Sequence, residues 1–380
     1  MSAKTNKRAV HDLVVVGAGF SGCVIGIKAH DMGLDVRVVD ANPHYPKHFR
    51  AEKLEDDQSE ALASLGLLDL VRPTSSPTID KVHTFTGHIE TVSRYRSLRG
   101  IDYADTVNAL RDVLADRGIL DIQTVSDIQD GPETSQVILN DQSILQGRLV
   151  VVASGMAAAL RRALKLTYSG MEKLTSTTFG FDIKRASGAD FPFRAFNFRP
   201  DPFVYGLQYI TFFPIGDRTR ANLFTCWEPS DEQARKLKRD VSQEIRTLFP
   251  NIEAHIGRFR IGSEIESYTT RYHRQDASHL TRTVVVGDAF QSVNPANGVG
   301  LSKCLTDART LLDALPRTFE EPSARMDLNA YYGNPRKREV DDTALRRWRW
   351  ANELATSQSL RTKFRKGRSA ASGRLRKFLS

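Results

Sequence analysis

Three apolar, β-branched-rich runs mark the chain: Leu13–Val16, Leu149–Ala153 and Thr283–Val286. Each carries no charge and reads as a strand buried on both faces of a sheet. After the first run, Cys23, Val24, Ile27 and Lys28 take helical spacing up to Gly33, and Val36–Val39 forms a second strand ending on Asp40. Helical periodicity also runs through Leu54–Leu70, Tyr103–Leu114, Asp231–Phe249 and Val299–Leu315. Ile79–Ser97 alternates like strands, and Gly131–Leu149 reads as a hairpin around Asn140-Asp141. From Thr175 to about Arg260, aromatic residues recur at spacing two, as expected of strands with one packed face. Most belong to a sheet core, and a minority line an apolar ligand cavity.

The first strand breaks into Gly17-Ala18-Gly19-Phe20-Ser21-Gly22, a GxGxxG turn that opens a helix. Gly17 permits the tight turn, Gly19 lets backbone approach a pyrophosphate, and Gly22 lets helix pack on strand. The helix start offers free N–H groups and the positive end of its dipole to phosphate charge. Asp40 lies eighteen positions beyond Gly22, at the spacing of an acid that binds a ribose hydroxyl. The unit binds a dinucleotide and does not by itself choose between NAD and FAD. A second block does. The strand ending at Val286 runs into Gly287-Asp288, followed by Pro295-Ala296-Asn297-Gly298-Val299-Gly300-Leu301 and a helix. An acid at a strand's carboxyl end can take a ribityl hydroxyl, and a glycine-opened helix stabilises negative charge at its N-terminus. That suits a flavin better than a nicotinamide.

At 380 residues the chain is long enough for two domains with sizeable cores. Its net charge of +9 is concentrated at one end. Fourteen Lys/Arg against four Asp/Glu lie from Pro335 onward, so the remainder is close to neutral. Cys23, Cys226 and Cys304 are odd in number and far apart, which argues for a reducing cytoplasm without a disulfide framework or a metal site. The apolar stretch Leu13–Ile27 is too short and glycine-rich to span a bilayer and lacks the cleavage site of a signal peptide.

Together, GAGFSG with Asp40 and the late GDAFQSVNPANGVGL resemble the FAD-dependent monooxygenases of the p-hydroxybenzoate hydroxylase type, over roughly residues 12–315. The resemblance implies an α/β protein with an α+β insertion. A Rossmann-like FAD-binding domain, discontinuous in sequence, would occupy 11–78, 101–174 and 276–335. An inserted, mainly antiparallel sheet substrate domain would take 79–100 and 175–275, and a basic helical C-terminal tail 336–380. It further implies that Gly17, Ala18, Gly19, Phe20, Ser21, Gly22, Asp40 and Ala41 hold the ADP half of FAD. Arg50 falls where the family places an arginine near the flavin, Gly287 and Asp288 meet the ribityl, and Pro295, Gly298, Val299, Gly300 and Leu301 flank the ring. The implied activity is hydroxylation of an apolar or aromatic small molecule through a flavin C4a-hydroperoxide, with NADPH or NADH as reductant. Three positions depart from the family: Gln291 replaces a histidine, Ser302 an asparagine, and the family's Asp-Gly motif reads Ser154-Gly155. The last bears on reduction by NAD(P)H and brings in a separate reductase as a partner.

Two other readings stand beside this one. One keeps FAD and makes the protein a dehydrogenase or reductase, or a cyclase- or halogenase-like relative, not reduced directly by NAD(P)H. The other is a flavin-containing binding protein that acts through its tail. No acid follows Glu353, and eight Lys/Arg between Arg361 and Lys377 are accompanied by Phe364, Leu375, Phe378 and Leu379. That composition fits an anionic membrane surface or an acidic carrier, with peripheral membrane association; no recognised module supports nucleic-acid binding. A phenolic substrate would want a base, and His83, Tyr205, Tyr209 and Gln291 are candidates among which the sequence does not choose.

Overall fold

The computed structural model describes residues 10–47, 49–168, 173–319 and 325–360. From the N-terminus, β1 (Val10–Val16), α1 (Phe20–Asp31) and β2 (Val36–Asp40) form the strand–turn–helix–strand unit. Next come β3 (Lys53–Leu54), α2 (Asp56–Ser64), α3 (Leu68–Val71), β4 (Ile79–Thr86), β5 (Ile89–Gly100) and α4 (Tyr103–Asp116). The chain continues through β6 (Leu120–Ile122), β7 (Val125–Gln129), β8 (Ser135–Leu139), β9 (Ile144–Val152), α5 (Ala158–Ala163) and β10 (Thr167–Tyr168). A strand-rich stretch follows: β11 (Thr175–Arg185), β12 (Phe196–Arg199), β13 (Leu207–Ile215) and β14 (Arg218–Thr225). Three helices, α6 (Glu232–Arg239), α7 (Val241–Leu248) and α8 (Ile252–Ile256), lead to β15 (Phe259–Ile261), β16 (Glu266–Arg271), β17 (Gln275–Asp276) and β18 (Thr283–Val285). Helices α9 (Gly300–Phe319), α10 (Leu328–Gly333) and α11 (Pro335–Thr356) close the described chain.

The described residues divide into two compact units, one drawn from 1–78, 96–173 and 271–344, the other from 79–95, 174–270 and 345–380. In the first, the sheet order is β6-β2-β1-β9-β8-β7. β1 pairs in parallel with β2 and β9, and β2 with β6. β9 is long enough to serve two partners on one edge. Its first half pairs antiparallel with β8, and its second half pairs in parallel with β18. The hairpin and the buried run read separately in the sequence are therefore one strand, because β9 continues past the end of β8. Leu13, Val14 and Val15 of β1 are fully buried, as are Val150 to Val152 and Val284 to Val285. Helices α1, α4 and α9 add Ile25, Leu110, Leu114 and Leu311 to the same core.

In the second unit, β11 pairs antiparallel with β14 and β15, and β13 with β12 and β14, while β12 and β4 run in parallel. Phe179, Phe181, Phe196, Phe198 and Phe212 pack in one core with Leu237, Ile245, Leu248 and Ile256 of the three helices. The aromatic alternation is thus mainly a sheet core. The helix expected over Asp231–Phe249 is two helices. Asp240 leaves helical geometry and its carboxylate accepts from Gln243 N–H at 2.9 Å, starting α7 afresh.

Residues 336–356, the start of the expected basic tail, form most of α11, in which Lys337, Asp341 and Trp348 are buried. Residues 361–380, which carry the eight Lys/Arg and the expected contact with a membrane surface or acidic carrier, lie outside the described residues. Among the described residues, no helix is long and apolar enough to cross a membrane.

Candidate functional site

The glycines of the first turn behave differently from one another. Gly17 sits at φ +105, and a Cβ there would lie 2.6 Å from Ala153 O. At Gly22 a Cβ would fall 1.8 Å from Gly17 O, so no larger residue fits. Around Gly19 the nearest atom to such a Cβ is in the Tyr45 ring at 3.9 Å. That open space faces the start of α1, which has no side-chain cap to satisfy its first-turn N–H groups. Room and unsatisfied donors at a helix N-terminus are what a pyrophosphate requires.

Asp40 closes the turn. Its carboxylate accepts from Ala18 N–H at 2.8 Å and from Asn42 N–H at 2.9 Å. Arg111, from the buried face of α4, stands 3.5 Å from the same carboxylate, donates to Ala18 O at 3.1 Å and also donates to Asn42 O. An ionised carboxylate offers about four acceptor sites, so Asp40 retains capacity for a ribose hydroxyl. Ala41, next to it, is exposed. Arg111 was not foreseen; its signal is a charge set within the stripe Val107, Leu110 and Leu114.

The second block meets the first. Gly287 takes φ +59, and a Cβ on it would lie 3.0 Å from Ser21 Oγ and 3.6 Å from Cys304 Sγ. Phe20 and Leu301 are buried in the same core, so α1 and α9 are packed together beneath the two turns. Asp288 follows Gly287, and burial raises its carboxyl above the usual range while the charges of Lys303 and Arg50 pull it back down. Arg50 also acts on Tyr103, whose phenol is pushed well up by burial and by Tyr45, Cys304 and Asp288 around it. Arg50, Tyr103 and Asp288 therefore share one electrostatic neighbourhood. Burial likewise pushes the Cys304 thiol up to about 12, so it is no ready nucleophile.

The loop before α9 is held from α2. Pro295–Asn297 forms a 3₁₀ turn capped by the Asn294 side chain, and Gly298 follows at φ +67. Gln58 Nε2 donates to Gly298 O at 2.9 Å and to Ser302 Oγ at 3.1 Å, and Ser302 Oγ donates to Asp57 at 2.7 Å. A Cβ at Gly298 would lie 2.8 Å from Glu55 Oε1. Val299 and Gly300 are half-buried at the mouth of α9. Ser154 stands behind Gly17, its Cα 3.1 Å from a Cβ there, and its buried Oγ lacks a hydrogen-bond partner. The cradle that glycines keep open, the uncapped helix start and this orphaned hydroxyl all fit an FAD molecule lying across both blocks.

The four candidate bases divide between the two units. Gln291 is buried in the first unit and donates to Asp341 O at 2.8 Å. His83, Tyr205 and Tyr209 belong to the second unit. His83 Nδ1 lies 2.5 Å from Glu90, Tyr205 is exposed, and the Tyr209 ring packs on Phe224 at 4.8 Å.

Comparison with known proteins agrees with this geometry. A family model described as an FAD binding domain matches residues 11–347. Para-nitrophenol 4-monooxygenase of Pseudomonas sp. (strain WBC-3) is 22% identical over 376 residues, covering 92% of this chain and 89% of the relative. The structure of p-nitrophenol 4-monooxygenase PnpA from Pseudomonas putida DLL-E4 superposes with a TM-score of 0.76 at 18% identity, covering 98% of this chain and 96% of that one. A flavoprotein/dehydrogenase from Cytophaga hutchinsonii does so with a TM-score of 0.69 at 15% identity, covering 90% and 86%. The chain belongs to the FAD binding domain family, among the flavin monooxygenases of the p-hydroxybenzoate hydroxylase type, and is an FAD-dependent oxidoreductase.

Proposed function

We propose that the protein is a monooxygenase that hydroxylates a small aromatic substrate of the phenol class. The observation that carries this reading is the convergence of the two glycine-gated blocks, with Ser21 of the first lying directly under Gly287 of the second. Gly17, Ala18, Gly19, Phe20, Ser21 and Gly22 would receive the pyrophosphate, with Asp40 and Ala41 at the adenosine ribose. Gly287, Asp288 and Arg50 would meet the ribityl chain. Pro295, Gly298, Val299, Gly300 and Leu301 would set the mouth of α9 against the ring, where its dipole stabilises negative charge. When bound, FAD supplies oxygen activation at its ring C4a position. The protein's share is positioning, exclusion of water and a carboxylate at Asp288 that orients the cofactor. The choice of phenols follows relatives that carry p-nitrophenol monooxygenation in their names, together with an insertion rich in aromatic residues.

For the electron donor we infer a separate reductase. Where the family has an aspartate, this chain has Ser154, a neutral side chain behind Gly17. The test is turnover of FAD-loaded protein on a panel of phenols, with NADH, with NADPH and with a flavin reductase added. Hydroxylation only with the reductase supports the inference. Equal rates with a nicotinamide alone would remove it while leaving the monooxygenase reading intact.

A further inference from the structure

Beneath the second block lie four buried charges with no place in the chemistry above. Lys303 and Asp307 come from successive turns of α9, and Lys337 and Asp341 from successive turns of α11. Their side chains are 0–1% exposed. Lys303 Nζ lies 2.7 Å from Asp307 Oδ2 and 3.3 Å from Asp341 Oδ1. Lys337 Nζ lies 2.7 Å from Asp307 Oδ1 and 3.1 Å from Asp341 Oδ2. Each charge therefore has two opposite neighbours, and the set is neutral. Rings close it off, with Lys337 Nζ 4.3 Å from the centre of Phe290 and 5.4 Å from that of Tyr331.

Burying four charges costs several kcal/mol per ion before pairing, and apolar residues of similar size would often be as stable. What distinguishes this network is its hold on one residue of the flavin block. Gly287 N–H donates to Asp307 Oδ2 at 2.8 Å, and Gly287 O accepts from Lys303 Nζ at 3.4 Å. Both ends of the residue that precedes Asp288 are thus gripped by charged groups, in the left-handed conformation that the turn needs. His273 adds a third hold, its Nε2 lying 2.8 Å from Asp288 O.

We propose that Lys303 and Asp307 are positioning residues for FAD, fixing both sides of Gly287 so that the Asp288 carboxylate is aimed at the cofactor, while Lys337 and Asp341 complete the charge balance of the pair. The inference rests on the assignment of Asp288 as an FAD ligand. Asp288 is faced by Lys303, Cys304 and Asp307 from α9, by Arg50, by His273 and by Tyr103 from α4. Burial raises its carboxyl and Lys303 is the largest opposing charge, whereas Asp307 pushes in the same direction as burial. A carboxylate with a raised pKa accepts a ribityl hydroxyl fully at high pH and loses that bond as pH falls through the raised value.

The experiment is an FAD titration, followed by flavin fluorescence, across pH for the wild type and matched variants. K303M/D341N and K337M/D341N each remove one cation and one anion, so both stay neutral. K303M/D341N is expected to weaken FAD binding about tenfold near neutral pH and to move the acid limb up by about one pH unit. K337M/D341N leaves Lys303 and Asp307 in place and should leave the limb where it is. D307N removes an anion near Asp288 and should move the limb down, which gives a second reading if K303M/D341N does not fold. Equal shifts in the two double variants, no shift in either, or an upward shift in D307N would overturn the proposal. D288N separates the ligand role of Asp288 from the positioning role of the network. Wild-type FAD binding in D288N removes the ligand assignment itself. Loss of the acid limb in D288N, with no shift in the network variants, removes only the positioning role.

Discussion

At the scale of the residue, Gly17 and Gly22 of the first turn were legible because each solves a local steric problem. A Cβ 1.8 Å from a carbonyl oxygen excludes every other residue at Gly22 whatever surrounds it. Gly22→Ala is expected to cost ~3 kcal/mol, at or above the upper end of overpacking, and to abolish FAD retention. Thermal melting with and without FAD checks this, and an unchanged melting point with normal retention would contradict it. Arg111 was not legible in the same way. Its partners, Ala18 O, Asn42 O and Asp40, lie 69–93 positions away, and only the charge within an apolar stripe pointed to it. Arg111→Met leaves two carbonyls and a carboxylate without their shared donor. We expect a loss of about 2 kcal/mol in stability and roughly tenfold weaker FAD binding, read by denaturant melts and fluorescence titration. An effect on stability alone would assign Arg111 to the fold and not to the site.

At the scale of the element, periodicity served where a segment has one environment along its length. β1, α1, β2 and α4 fall where their patterns put them because each has a single buried face or is buried throughout. It served less well where the environment changes partway. β9 changes partner at midlength, and Asp231–Phe249 breaks at Asp240, where a side-chain cap competes with helix continuation. α11 is the clearest case. Its run Arg336-Lys337-Arg338 looks solvated, yet Lys337 is fully buried because Asp307, thirty positions upstream, receives it. A buried charge is intelligible only with its partners, and sequence spacing does not reveal partners on another helix. Further along the same helix, Trp348 is fully buried. Trp348→Ala should therefore destabilise by ~3–5 kcal/mol, measured by urea unfolding, and a loss below ~1 kcal/mol would show that this part of α11 is dispensable.

At the scale of the whole molecule, the family was legible from two motifs more than 250 positions apart, which the proposed site joins at one ligand. The first turn ends at Gly22 and the second begins at Gly287, and the fold brings Ser21 under Gly287. The catalytic base was not legible. His83, Tyr205, Tyr209 and Gln291 are ordinary residues in the chain, and their positions put Gln291 in one unit and the other three in another. The altered Ser154-Gly155 pair sets the remaining question of how electrons arrive, and it can be separated from the oxygen chemistry. The most direct measurement is a single turnover. FAD-loaded protein is photoreduced without oxygen, so that no nicotinamide or reductase is needed, and then mixed with ¹⁸O-labelled dioxygen and a panel of phenols that includes 4-nitrophenol. The account predicts one labelled oxygen atom incorporated into product for each flavin reoxidised. Reoxidation that yields only hydrogen peroxide with every phenol, or failure of the protein to retain FAD, would contradict it.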